Sequence, residues 1–118
     1  MFRNISINLL VVLSFSFSQE FYDVTDRYEN EHPGMVVKYD LTGSLLEMKT
    51  VYQFYENGQK KSETHFKDGV LDGLQTQWYY NRCSPARACH RHKKKENIYK
   101  DGKEISTKSW REDGSVWD

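Results

Sequence analysis

Short segments of alternating polarity fill much of the chain and end in turn dipeptides. Met48, Thr50, Tyr52 and Phe54 alternate with more polar positions such as Lys49 and Gln53, and residues 74–78 follow the same pattern. A period of two is typical of a β-strand with one face turned to a core. Asn-Gly and Asp-Gly close tight hairpins because both central residues of a type I′ turn need positive φ. Four such dipeptides follow these segments: Asn57-Gly58, Asp68-Gly69, Asp101-Gly102 and Asp113-Gly114. Asp72-Gly73 is a fifth turn or a bulge. The pattern predicts an all-β antiparallel meander of stacked hairpins.

Two motifs recur along the chain. The first is an aromatic residue that leads into a turn, at Phe54–Gly58, Trp78–Asn81, Trp110–Gly114 and, more faintly, Tyr39–Gly43. The second ends in Lys-Asp-Gly and occurs at Glu63–Gly69 and Glu96–Gly102. Self-similarity of this kind indicates a repeat architecture, in which each unit buries its apolar face only against its neighbours.

The repeated aromatic residues define an expected core. If the hairpins stack side by side, one aromatic stripe should form most of that core: Phe54, Phe66, Trp78, Tyr99 and Trp110. Tyr55, Tyr79 and Tyr80 alternate away from this face or flank it. Because tyrosine is enriched at protein interfaces, these three are the candidate partner-binding residues.

The repeated units resemble a known family. The run FYENGQKKSETHFKDGVLDGLQTQWYYN at 54–81, followed by KKKENIYKDGKE and WREDGSV, is similar to the MORN-repeat variant of YwqK-like proteins, commonly labelled antitoxins of toxin–antitoxin systems. The resemblance covers Phe54 to Val116. It implies a meandering sheet of hairpins and a role in binding another protein, which could be a toxin. The second unit departs from the pattern because it lacks its Asn-Gly turn and carries an insertion.

The first 18 residues have the composition of a secretory signal peptide. Arg3 precedes an apolar run, and Ser16 and Ser18 occupy the small-residue positions of a cleavage site before Gln19. The run is shorter than the ~20 apolar residues of a membrane-spanning helix. An uncleaved anchor or a buried strand is the alternative. The sequence therefore predicts an exported protein, in the periplasm, cell envelope or extracellular space. An acidic N-terminal extension follows at 19–35, and the repeat domain at 36–118 begins with a strand pair around Val36–Phe54.

The insertion at 82–95 contains both cysteines of the chain. In an oxidising compartment Cys83 and Cys89 are predicted to form a disulfide that closes a small loop. Together with His90 and His92 they could instead hold zinc or copper, but the spacing is not that of a standard zinc site and adjacent positive charges oppose it. Two free thiols are the remaining alternative. We therefore predict no metal and no cofactor.

The insertion is also strongly basic. It holds six cationic residues and no carboxylate: Arg82, Arg87, Arg91, Lys93, Lys94 and Lys95. Clustered cations can bind a polyanion or an anionic membrane surface. A solvated loop tip, or a contact with the acidic segment at 20–31, would equally account for them.

Composition excludes several classes of function. With 17 Lys+Arg against 17 Asp+Glu, the chain lacks the basic excess of a nucleic-acid-binding protein, and its 14% aromatic content is too high for a disordered one. It has none of the common nucleophile, zinc-protease or phosphate-loop motifs, so we expect no enzymatic activity. The expected function is an exported protein–protein interaction module. Its alternative is a polyanion- or membrane-surface-binding protein acting through the basic insertion, and steep salt dependence would distinguish that alternative.

Overall fold

The structure is a computed structural model that describes residues 18–80 and 92–117. The prediction of an all-β meander is confirmed, because the described residues form one seven-stranded antiparallel sheet in chain order and no helix. The strands are β1 (Ser18–Arg27), β2 (Pro33–Thr42), β3 (Leu45–Phe54), β4 (Lys60–Lys67), β5 (Val70–Trp78), β6 (Lys93–Lys100) and β7 (Lys103–Ser109). Outside the described residues lie the predicted signal peptide except Ser18, the predicted Cys83–Cys89 disulfide, and residues 82–91 of the insertion.

The two ends of the sheet are closed by different connections. At the turn end, which carries the β2–β3, β4–β5 and β6–β7 connections, Asp68-Gly69 and Asp101-Gly102 have positive φ at both residues (51° and 79°, 51° and 83°). These are the predicted type I′ turns. At the opposite end, the loop end, only the glycines of Asn57-Gly58 and Asp113-Gly114 have positive φ. The type I′ prediction is therefore wrong for these two dipeptides, which lie in longer loops.

One five-residue loop occurs three times at the loop end, at Tyr28–His32, Tyr55–Gln59 and Arg111–Ser115. In each, the first N–H donates to the fifth carbonyl at 2.7–2.9 Å and the fourth N–H donates to the first carbonyl at 2.9 Å. The third side chain, an Asn or Asp, accepts a hydrogen bond from the fifth N–H. The fourth residue has positive φ: 70° at Glu31, 86° at Gly58 and 90° at Gly114. The repeat therefore begins at Tyr28. Tyr39–Gly43 is not a copy of it, since Tyr39 lies within β2.

The acidic segment at 19–35 is part of the sheet, because its first half forms the edge strand β1. Phe21 pairs with Tyr39 and Val24 pairs with Val36. Phe21 and Val24 are three residues apart, so they lie on opposite faces and produce no alternation in the sequence. This spacing explains why sequence analysis set the segment apart as an extension.

Bulges change the predicted faces. On β2–β3, Lys38 pairs with Thr50 but Tyr39 pairs with Met48, which leaves Lys49 as an extra residue. Met48 and Thr50 therefore lie on opposite faces, and the prediction that both share one face is wrong. We call the side that carries Thr50, Tyr52 and Trp78 the indole face, and the other side the amide face.

The predicted single aromatic stripe is also wrong. Thr64 pairs with Gln75 on the amide face, and Phe66 lies two residues beyond Thr64 on that same face. Trp78 lies three residues beyond Gln75 and hence on the indole face. The expected stripe thus divides between the two sides of the sheet: Phe54, Trp78 and Trp110 on the indole face, Phe66 and Tyr99 on the amide face.

Small polar side chains occupy the buried positions of the described residues. Val37, which is 6% exposed, is the buried hydrophobic residue there, and the buried polar residues are Thr50, Ser62, Thr64, Thr76 and Asn97. None of the five aromatic residues expected in the core is fully buried. A single layer covers a short side chain between longer neighbours on adjacent strands but cannot enclose an indole ring, so the aromatic residues remain partly exposed.

A ladder of hydrogen bonds crosses the amide face. Gln75 donates to Thr64 Oγ1 at 3.2 Å, and the Asn97 amide hydrogen-bonds Gln75 at 3.3 Å and Thr107 at 2.7 Å. Between β3 and β4, Ser62 donates to Gln53 Oε1 at 2.8 Å. Each such bond contributes about 1 kcal/mol net, and a one-residue slip of a strand would break every bond that this strand makes in the ladder. The ladder thus fixes the register of β3 to β7.

Glu31 occupies the position that glycine holds in the other two loops, which makes it a test of the repeat. Left-handed backbone costs a non-glycine residue about 1–2 kcal/mol, partly offset by the greater unfolded freedom of glycine. We expect Glu31→Gly to raise the free energy of unfolding by about 0.5–1 kcal/mol, measured by urea denaturation. The matched control, Glu29→Gly, should not stabilise the protein. A Glu31→Gly variant no more stable than wild type would contradict the shared loop geometry.

Candidate functional site

Tyrosine hydroxyls connect successive hairpins at the loop end. Tyr28 donates to the Phe54 carbonyl at 2.7 Å. Tyr55 donates to the Trp78 carbonyl at 2.8 Å, and Tyr79 donates to the Trp110 carbonyl at 2.7 Å. In each case the first residue of one loop binds the backbone of the aromatic residue that ends the next hairpin. The recurring aromatic-turn motif of the sequence therefore encodes a contact between hairpins.

The three predicted partner-binding tyrosines lie together at this end, but in different environments. Tyr55 and Tyr79 are half-buried, and their hydroxyls are used within the chain. Tyr80 is 49% exposed and contacts Tyr55 edge to face, with ring centroids 5.1 Å apart. Of the three, Tyr80 thus offers the most surface to a partner, while Tyr55 and Tyr79 support it.

Two lysines that sequence analysis did not pair occupy equivalent bulges beside these rings. Gln53 pairs with Ser62 and Phe54 with Lys60, so Lys61 is the extra residue on β4. The same shift between Gln77 and Trp78 makes Lys94 the extra residue on β6. The Lys61 ammonium lies 5.7 Å from the Tyr55 ring centroid, and that of Lys94 lies 5.7 Å from the Tyr79 centroid. Their only sequence signal is the position of a Lys-Lys pair after each loop.

The other lysine of each pair lies on the indole face and is bound to a carboxylate. Lys60 Nζ is 2.8 Å from Glu63 and 5.6 Å from the Trp78 ring centroid. Lys93 Nζ is 2.7 Å from Glu96 and 5.9 Å from the Trp110 centroid. A cation over an aromatic face is worth about 0.5–1 kcal/mol at exposed sites. These contacts help hold the partly exposed indoles of Trp78 and Trp110 in place.

A shallow pocket of about 120 Å³ opens at the loop end. Its lining combines two lysines, three residues with neutral polar side chains and two aromatic residues: Lys61, Lys94, Gln53, Ser62, Gln77, Tyr55 and Trp78. The lining contains no carboxylate. The pocket is therefore positive, and it is smaller than the ~300–1,000 Å³ typical of sites for drug-sized molecules.

The basic insertion is described only at its C-terminal part. Lys93 and Lys95 lie on opposite faces and Lys94 lines the pocket, so these three do not form one basic patch. Arg82, Arg87, Arg91, Cys83 and Cys89 are outside the described residues. Strand β1 lies about five strand spacings, or roughly 24 Å, from Lys93–Lys95 on β6, and the loop at residues 28–32 bonds to the backbone of Phe54 and Glu56. Within the described residues, no ion pair joins the segment at 20–31 to Lys93, Lys94 or Lys95. The described lysines therefore do not make the contact with that segment that the sequence suggested.

His92 is the one described member of the group proposed as an alternative metal site. Its ring lies against the last loop, where a Cβ on Gly114 would be 2.7 Å from the imidazole. Across residues 18–80 and 92–117, no cluster of three or more His, Cys, Asp or Glu residues is placed to hold a metal ion.

A hydroxyl, an imidazole and a carboxylate lie in line on the indole face. Thr50 Oγ1 is 3.3 Å from His65 Nδ1, and His65 Nε2 is 3.1 Å from Glu63 Oε2. Thr50 is only 4% exposed and lies on the interior strand β3, which puts its hydroxyl out of reach of a substrate. Burial alone would raise the pKa of Glu63, but Lys60 and His65 outweigh it and hold that pKa below its ordinary 4.5. This row stabilises the sheet.

Comparison with known proteins gives the chain no relatives: no family model, curated protein or solved structure matches it. In the part of the chain that the structure describes, no helix is long and apolar enough to cross a membrane. The similarity to YwqK-like proteins therefore stays a prediction that depends on the repeat motifs alone.

The tyrosine bonds predict a difference among three neighbouring tyrosines. Tyr55→Phe and Tyr79→Phe each remove a bond to a carbonyl of the next hairpin, so each should lower the free energy of unfolding by about 1 kcal/mol. Tyr80→Phe, whose hydroxyl has no such role here, should change it by less than about 0.5 kcal/mol. Urea denaturation of the three variants measures this. Equal losses would show that the hydroxyls do not connect the hairpins.

Glu63 predicts a loss of stability in acid. Its folded-state pKa is depressed, so its contribution is present above the unfolded pKa near 4.5 and is lost as pH falls through the folded value. We expect the stability of wild type to fall below about pH 5, and Glu63→Gln to be less stable at neutral pH with a shallower acid loss. Glu29→Gln, at an exposed loop position, is the control. An unchanged pH profile in Glu63→Gln would contradict the ion pairs seen here.

Proposed function

We propose that this protein is a non-enzymatic binding module that receives another protein on its open sheet. The observation that carries the proposal is the absence of a second layer over the described sheet. Ten large hydrophobic side chains are between 38% and 66% exposed: Tyr22, Leu45, Leu46, Val70, Leu74, Tyr80, Ile98, Ile105, Val116 and Trp117. Contiguous apolar exposure on a small protein is typical of an interaction surface, and among these residues the exposed Leu74 lies opposite the exposed Ile98 on the neighbouring strand.

The loop end is the part of this surface best suited to a partner. Tyr80 is held against Tyr55, and Trp117, 55% exposed, is covered on one side by Arg111 at 4.3 Å from its ring centroid. Aromatic and arginine side chains that are held in place carry much of the binding energy of protein interfaces, because little side-chain entropy is lost on association. The tyrosine bonds between hairpins keep this end rigid.

The resemblance to YwqK-like proteins supports a more specific version, in which the partner is a toxin and the protein acts as an antitoxin or immunity protein. That resemblance implies a meandering sheet of hairpins, which is the fold observed. The predicted signal peptide would place such neutralisation outside the cytoplasm. Whether the captured partner is a toxin decides whether this more specific version holds.

The alternative function, polyanion or membrane-surface binding through the insertion, gains no support from the described residues. Lys93 is neutralised by Glu96, and Lys94 and Lys95 do not form a patch with it. Binding through phosphate or sulfate contacts weakens steeply with salt, whereas an interface of aromatic residues does not.

A pull-down of the tagged protein from its own cell-envelope extract, with the captured protein identified by mass spectrometry, tests the proposal. Tyr80→Ala should reduce capture of that protein about tenfold, the effect of losing ~1.4 kcal/mol, without unfolding the sheet. Tyr22→Ala, at an exposed tyrosine on the edge strand β1, is the matched control and should retain capture. Capture unaffected by Tyr80→Ala, or abolished by deleting residues 82–91, would contradict the proposal.

A further inference from the structure

Lys61 and Lys94 differ from the neighbouring lysines in lacking a carboxylate. In each Lys-Lys pair, Lys60 or Lys93 binds a glutamate on the indole face. Lys61 and Lys94 are exposed, contact tyrosine rings, and within the described residues form no ion pair. The repeat thus places one neutralised lysine and one un-neutralised lysine at each of two equivalent positions.

The segments on either side of the described residues 18–80 supply no neutralising group. Residues 81–91, which connect the pocket side of β5 to β6, contain Arg82, Arg87 and Arg91 but no Asp or Glu. Residues 1–17 also contain no acidic residue. The positive potential at the pocket is therefore not cancelled by either of these segments.

The pocket lies between the two lysines. They are on β4 and β6, two strand spacings or roughly 10 Å apart, and both line the cavity that forms over β5. Gln53 and Gln77 add carboxamide groups, whose N–H can donate, and Tyr55 adds an apolar wall. Ammonium and amide donors around an apolar recess suit a carboxylate at the end of a short aliphatic stem.

The size of the pocket restricts its occupant. A cavity of about 120 Å³ is too small for a nucleotide or a drug-sized cofactor but can accept one side chain. Because Gln53, Ser62 and Gln77 of its lining lie on the amide face, a peptide that crosses this face of the sheet could insert a single residue.

We propose that this pocket binds an Asp or Glu side chain of an acidic segment in the protein partner. This inference rests on the protein-binding function proposed above and names the chemistry of the partner. Lys61 and Lys94 bind the carboxylate, and the tyrosine bonds of Tyr55 and Tyr79 hold the surrounding loops in place.

Fluorescence anisotropy with the full chain tests the pocket without the natural partner. The probe is a fluorescein-labelled peptide of alternating Glu and Thr, compared at low salt with the same peptide carrying Gln for each Glu. The Glu peptide should bind at least about tenfold more tightly, and Lys61→Gln/Lys94→Gln should weaken it about tenfold. Lys100→Gln/Lys103→Gln, with the same charge change at the turn end, should weaken it less than about twofold. Equal weakening by both double variants, or no weakening by the first, would overturn the proposal.

Two further comparisons identify the chemical group that the pocket binds and separate a loss of binding from a loss of folding. Lys61→Arg/Lys94→Arg preserves the charges and should retain binding. If Lys61→Gln/Lys94→Gln does not fold, the single variants Lys61→Gln and Lys94→Gln replace it. Polyphosphate of similar length that binds the same lysines more tightly than the Glu peptide would overturn the assignment of a carboxylate.

The natural partner separates this inference from the proposed function. If both hold, the envelope protein captured by wild type is lost in Lys61→Gln/Lys94→Gln as well as in Tyr80→Ala. Capture lost in Tyr80→Ala but retained in Lys61→Gln/Lys94→Gln would overturn the acidic-segment pocket and leave the binding module in place. Capture retained in both variants would overturn the two together.

Discussion

A tyrosine hydroxyl bonded to the backbone of the next hairpin is the contact on which the described sheet most depends. Strands in this meander hydrogen-bond only to their neighbours in the chain, so long-range support must pass from hairpin to hairpin. Tyr28, Tyr55 and Tyr79 supply that support at the loop end. At the turn end, the Asp68 N–H donates to Glu47 and the Gly102 N–H donates to the Leu71 carbonyl, both at 2.8 Å. The first of these bonds is the main cause of the lowered pKa of Glu47. Each hairpin is thus fastened to the next at both ends.

Support of this kind leaves the surface of the sheet available for binding. The central positions are filled by hydroxyl and amide side chains that hydrogen-bond across strands, so the fold does not depend on burying its indole rings or its exposed leucines. The lysines likewise fall into two groups, one bound to carboxylates and one not. Lys60 and Lys93 stabilise the indole face through glutamate and tryptophan, whereas Lys61 and Lys94 remain available beside a pocket. One repeated Lys-Lys pair thereby supplies a structural ion pair and a lysine for the proposed recognition of a carboxylate.

The features that the sequence predicts are those set by local backbone preference. Asp68-Gly69 and Asp101-Gly102 form the expected turns because their φ angles are a property of the dipeptide. Faces and contacts were harder to predict, since one extra residue at Lys49, Lys61 or Lys94 shifts every side chain beyond it. The loop at Tyr28 was missed because Glu31 replaces the glycine, although Tyr28-Glu29-Asn30 repeats Tyr55-Glu56-Asn57.

At the candidate site, the grouping of Tyr55, Tyr79 and Tyr80 was predictable. The hydroxyl bonds of the first two were not, because they join residues 23 and 31 positions apart.

Residue-by-residue amide hydrogen exchange of the isolated chain is the measurement that tests the single-layer account most directly. If each hairpin is supported only by its neighbours, the slowest amides should lie in β3 to β5, and protection should fall towards the edge strands β1 and β7. Protection in β1 and β7 equal to that of the centre would contradict the account, since it would require a second layer over the sheet or a partner along its edges.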